Sequence, residues 1–144
     1  TRLNAQKNTI PPFKVMRSNG SFFTSKEIPH NKPVLLIYFA PDCSHCQKLL
    51  GEFFKRLKDF HAAEIILVTF KPVGDLVEFD KQYELEKYHN IISGTEGNTF
   101  YLRYFYNIAT TPFTALYDKK GKLVASYRKE TPVDDLAKKV KAMK

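Results

Sequence analysis

The chain has 144 residues, which suits one domain able to bury a proper core without disulfide staples, and its two cysteines are too few for a stapled scaffold. A 43% hydrophobic and 14% aromatic content, with 12 Phe, 8 Tyr and no Trp, excludes a disordered chain. The net charge of +8, from 23 Lys and Arg against 15 Asp and Glu, raises nucleic acid or a membrane surface as partner, but the basic residues are scattered and no Gly-rich phosphate loop accompanies them, so no nucleic-acid partner is expected.

Residues 1–12 are polar and end in Ile10-Pro11-Pro12, the pattern of a linker or extended arm, which leaves residues 13–144 for the domain. The chain starts at Thr1 rather than Met, which predicts that a signal peptide, a membrane anchor or a further domain stood upstream. Neither an apolar run of 18 residues nor a secretory h-region occurs, so a membrane tether would have to lie outside these residues.

Phe13-Lys-Val15-Met16 and Ser21-Phe22-Phe23-Thr24 flank Asn19-Gly20 and predict an N-terminal β-hairpin. After Pro29 and Pro33, residues 34–39 form an unbroken apolar run, as expected of a central strand buried on both faces. Cys46, Leu49, Leu50, Phe53, Phe54, Leu57 and Phe60 then recur at spacings of three and four, the stripe of one long amphipathic helix. Residues 64–70 read as a second buried strand, so strand, helix and strand make a parallel unit with a right-handed crossover.

Asp75 and Glu78 have capping-box spacing and predict a helix to about Tyr88; a second, aromatic-rich helix is expected over residues 100–106. Residues 113–117 and 122–127 flank the turn Asp118-Lys-Lys-Gly121 and read as a second hairpin. Thr131 as N-cap and Pro132 as first helical residue open a closing helix, whose apolar face is Val133, Leu136, Ala137, Val140 and Met143 and whose lysines form a solvated face.

Both cysteines stand three apart in Ala40-Pro-Asp-Cys43-Ser-His-Cys46, directly after the first buried strand and at the start of the long helix. Helical positions i and i+3 hold their Cβ atoms about 5 to 6 Å apart, against roughly 3.8 Å in a disulfide, so a small adjustment closes the bond. A loop this short adds little stability, so the pair is read as a bond built to open and close. No metal or other cofactor is expected. The zinc alternative would draw on Cys43, Cys46 and two of His30, His45, His61 and His89, but no second pair at ligand spacing exists.

The order of strand, Cys-x-x-Cys at a helix start, strand, helices, Thr-Pro, hairpin and closing helix resembles the thioredoxin fold over about residues 30–144: α/β, with a central mixed sheet flanked by helices, here preceded by a hairpin. Phe39-Ala-Pro-Asp-Cys-Ser-His-Cys46, the Asn-Gly hairpin and Thr110-Thr-Pro-Phe113 most resemble the TlpA/ResA-like thiol-disulfide oxidoreductases of bacterial cell envelopes. The resemblance implies that Cys43 is the exposed nucleophile and Cys46 the resolving thiol. It also implies a cis Pro112 beside the pair, with the Thr111 backbone binding the substrate peptide. Protein thiols or disulfides and a redox partner protein are the implied partners, and a periplasmic or membrane-anchored location facing the periplasm is the implied site of action.

Physical chemistry supports the two thiol roles, since a helix N-terminus favours a thiolate at Cys43 while Cys46 falls on the buried stripe. Flanking charges enter as modulators: His45 would favour the thiolate and Asp42 oppose it. Three positions depart from family patterns: Ile37 and Leu49 replace acids that move the proton of the buried thiol, and Asp42 replaces a tryptophan, so the general base is unassigned. Two other readings stand beside disulfide exchange: a redox-inactive binding module on the same fold, and a thiol peroxidase. The peroxidase pattern needs a threonine before the nucleophile, and residues 32–42 contain none.

Overall fold

The computed structural model of the protein describes residues 8–143. Seven strands form one mixed sheet: β1 Lys14–Met16, β2 Phe22–Thr24, β3 Val34–Tyr38, β4 Glu64–Thr69, β5 Ile91–Thr95, β6 Phe113–Tyr117 and β7 Leu123–Arg128, in the spatial order β2-β1-β5-β4-β3-β6-β7. Strands β3, β4 and β5 are parallel, and β6 and β7 continue the sheet antiparallel on one side, while the β1–β2 hairpin continues it on the other. This is the expected thioredoxin-like α/β fold with its N-terminal hairpin.

Because successive strand residues face opposite ways, β3 feeds two cores. Leu35, Ile37 and Phe39 enter a cluster with Leu50, Phe53, Phe60, Leu76 and Leu136, while Val34, Leu36 and Tyr38 enter another with Phe13, Val15, Leu102 and Phe113. Each side therefore demands apolar residues, and an unbroken run results. Helices α1 Ser44–Lys55, α2 Val73–Gln82 and α4 Val133–Ala142 supply the first cluster; the short α3 Tyr101–Phe105 supplies the second. At the arm's end, Thr9 bridges Lys122 and Asn8 O accepts from Leu123 N at 2.7 Å; residues 1–7 of the expected arm lie outside the described residues.

Three local expectations are corrected, and one strand is added. The long stripe is one helix only to Lys55; Arg56, which bonds Phe53 O and pairs with Asp59 and Asp134, turns the chain into the 3₁₀ turn Leu57–Phe60 that seats Phe60. The next helix begins at Val73 behind Pro72, with no cap from Asp75, and stops at Gln82 because Glu84 adopts a left-handed φ of 50° ahead of a separate turn, Leu85–Lys87. Strand β5 lies in a stretch for which the sequence reading gives no element, Ser93, Gly94 and Thr95 offering no apolar pattern. Its polar groups are met within the fold, Ser93 Oγ donating to Asp80 at 2.6 Å and Thr95 Oγ1 to Lys71 O at 2.6 Å, while Gly94 lets Val15 of β1 approach. Finally, Pro132 rather than Thr131 caps α4, because the Thr131 hydroxyl is used sideways, 2.9 Å from that of buried Thr114.

Candidate active site

Parallel strands β3 and β4 end on the same edge of the sheet, and the chain leaves β3 through Phe39, which is still bonded to β4 by its N–H to Val68 O at 2.9 Å. Residues 40–43 then turn, with Cys43 N donating to Ala40 O at 3.1 Å, so that Cys43 arrives as the N-cap of α1 in extended conformation, φ −90° and ψ 122°. Its Sγ takes the place a Ser or Asp oxygen usually fills, accepting from Cys46 N at 3.3 Å. Cys43 is half-buried and Cys46 fully buried, and neither is bridged.

The loop before β6 closes the site from the other side. The Thr111–Pro112 peptide is cis, and the Cys43 thiol lies 3.6 Å from Thr111 O. Residues 43, 46, 111 and 112 are thus brought together although 65 or more positions separate the two pairs.

The two thiols are pulled apart in acidity. Burial alone would raise Cys43, yet hydrogen bonds from Cys46, the Thr111 side chain and the backbone N–H groups of Cys46 and His45 outweigh it and hold the thiol below its ordinary 9.0. Cys46 is pushed up to about 12 by burial, and its hydrogen bond to Cys43 adds to the effect. One thiol is poised to ionise and the other to keep its proton.

Around the pair, Ile37 and Leu49 are buried apolar side chains of the first core cluster. The His45 imidazole is exposed, while its backbone N–H serves Cys43. Asp42 is also exposed and is held by Lys71, whose Nζ lies 3.2 Å from Oδ2. Sequence reasoning missed Lys71. It follows β4 as the cysteine turn follows β3, so the parallel unit already put both at one sheet edge. Among the described residues no cluster of three or more His, Cys, Asp or Glu side chains is placed to hold a metal ion, and no helix is long and apolar enough to cross a membrane.

Comparison with known proteins agrees with this geometry. Residues 25–144 match the thioredoxin-like domain family. The methylamine utilization protein MauD of Methylobacillus flagellatus is 26% identical over 116 residues, which cover 80% of this chain and 53% of that protein; the chain spans about half the length of the curated relatives it matches. A secreted Mycobacterium tuberculosis disulfide oxidoreductase homologous to Escherichia coli DsbE superposes with a TM-score of 0.75 at 18% identity, covering 91% of this chain and 96% of that one. A thiol peroxidase from Chromobacterium violaceum shares the fold, with a TM-score of 0.78 at 16% identity over 95% and 86% of the two chains. With a match running from residue 25 to the last, the chain belongs to the thioredoxin-like domain family.

Proposed function

We propose that the protein exchanges disulfides with partner proteins through Cys43-Ser-His-Cys46. The observation that carries this reading is the arrangement of two unbridged thiols joined by a helix cap, Cys43 half-exposed at the N-cap and Cys46 buried one turn inside, environments that lower the first pKa and raise the second. In the reducing direction the Cys43 thiolate attacks one sulfur of a partner disulfide, forming a mixed disulfide and releasing the other sulfur as a thiolate. The Cys46 thiol gives up its proton as it attacks Cys43 Sγ, the intramolecular disulfide forms, and the second partner sulfur leaves. Two electrons pass to the partner, whose two thiolates take up protons from Cys46 and solvent; the reverse sequence oxidises a partner dithiol.

The flanking residues take these roles within the same reading. The Thr111 backbone and Pro112 bind the partner's polypeptide, while Asp42 and His45 tune the thiolate. With Ile37 and Leu49 apolar, the Cys46 proton goes to the departing partner thiolate or to water rather than to a carboxylate at either of these positions. The working unit is residues 13–144, and the site of action is the periplasm or the periplasmic face of a membrane, reached as a free protein or on a tether.

A Cys46→Ser variant tests the assignment. Mixed disulfides with protein substrates should accumulate through Cys43 and persist, because no resolving thiol remains. Trapping through Cys46 in a Cys43→Ser variant, with none through Cys43 in the reciprocal protein, would reverse the two roles. A wild-type protein that never cycles between dithiol and disulfide would favour the binding-module reading.

A further inference from the structure

The segment that carries Thr111 to Cys43 runs through residues 106–112 without regular secondary structure. Four successive carbonyls at its start are taken by two guanidinium groups. Arg128, the last residue of β7, donates from Nη2 to Tyr106 O at 2.6 Å and from Nη1 to Asn107 O at 2.9 Å. Arg103 on α3 donates from Nε to Ile108 O at 3.2 Å and from Nη2 to Ala109 O at 3.1 Å.

Each guanidinium is itself held. That of Arg103 lies 5.2 Å from the Phe70 ring centroid and 6.0 Å from that of Phe100, and Arg128 lies over Phe113 at 5.0 Å. Beyond the clamp, Lys129 N donates to Pro112 O at 3.1 Å. The stretch between Ala109 and Pro112 is thereby suspended from two fixed points, with Thr111 O facing Cys43 from its middle. A planar fork with fixed N–H directions spans two neighbouring carbonyls, whereas a lysine ammonium is a single point of donation.

We propose that Arg103 and Arg128 are positioning residues for partner capture, fixing the backbone of residues 106–109 and through it the placement of Thr111 over Cys43. The proposal rests on the reading of Cys43 as the exchanging thiol and of Thr111 as the backbone on which a partner docks. A small dithiol needs only the Cys43 sulfur. A polypeptide also needs the Thr111 backbone in register, so the clamp governs large partners and leaves small ones alone.

The test uses the full chain with Arg103→Lys, Arg128→Lys and both together. Three quantities are measured: the disulfide-exchange rate with dithiothreitol, kcat/KM for a disulfide-linked peptide, and the Cys43 titration midpoint by thiolate absorbance. Each single variant should lose roughly tenfold on the peptide, the scale of one charge-assisted hydrogen bond, while the dithiothreitol rate stays within about twofold. The midpoint should shift, since Thr111 O meets the Cys43 thiol at 3.6 Å and the Thr111 side chain also bears on its acidity. The double variant should lose less than the product of the singles, because both arginines act on one segment.

Retention of the peptide rate and the midpoint overturns the clamp, as does an equal fall of the peptide and dithiothreitol rates. Arg128→Lys, at an exposed position, keeps the test decisive if the double variant does not fold. If the wild type exchanges with neither reagent, the exchange reading fails on its own, and the midpoint still decides the clamp: a shift supports it and an unmoved value overturns it.

Discussion

Alkylation of the reduced protein by limiting iodoacetamide should modify Cys43 and spare Cys46, and the selectivity follows from the two environments. With Cys46 at about 12, its thiolate fraction at pH 8 is only ~10⁻⁴. Cys43 lies below 9.0, so its fraction at the same pH exceeds ~10⁻¹, which gives a ratio above ~10³. A more basic thiolate is also the stronger nucleophile, with a Brønsted slope of roughly 0.4 to 0.5, and over three units this returns a factor of ~10 to 30 to Cys46. Ionisation alone therefore leaves Cys43 ahead by ~30-fold or more, and the complete burial of Cys46 widens the gap. Peptide mass spectrometry across pH 6 to 10 reads both rates. The Cys43 rate should pass half of its plateau value below pH 9, while any residual Cys46 rate climbs about tenfold per pH unit throughout. Comparable labelling of the two, or a Cys43 rate still climbing tenfold per unit above pH 9, would refute the reasoning that a cap-bound Cys43 and a buried Cys46 have been driven apart.

Two further outcomes are expected. Gly94→Ala would place a Cβ 2.4 Å from Val15 Cγ2 and 2.7 Å from Val15 Cβ, so the hairpin must shift off β5; urea unfolding should show a loss of about 1 to 3 kcal/mol, and wild-type stability would disprove that close approach. Lys71→Ala leaves the Asp42 carboxylate uncompensated near Cys43 and should raise the Cys43 midpoint and make the disulfide potential more negative; Asp42→Ala should shift both the opposite way, and His45→Ala should follow Lys71→Ala. Glutathione equilibration measures the potentials, and shifts of one sign in both Lys71→Ala and Asp42→Ala would contradict the pairing.

What the sequence determined by itself is what short-range chemistry fixes. Three-residue spacing at a helix start marks Cys43 and Cys46 as a thiol pair, the unbroken run at residues 34–39 marks a strand buried on both faces, and Asn19-Gly20 marks a hairpin turn, with Gly20 at φ 86° and Asn19 Oδ1 accepting from Ser21 N. What only the tertiary structure decided depends on neighbours far along the chain. Strand β5 carries Ser, Gly and Thr where a strand pattern expects apolar residues, and it exists because β1 and β4 flank it and its hydroxyls find Asp80 and Lys71 O. Thr131 looks like a helix cap until Thr114, 17 residues away, takes its hydroxyl. Lys71 against Asp42, and Arg128 on the carbonyls of Tyr106 and Asn107, join positions that no local pattern links, because a charged or forked side chain finds its partner only once the sheet has brought their strand and helix ends together.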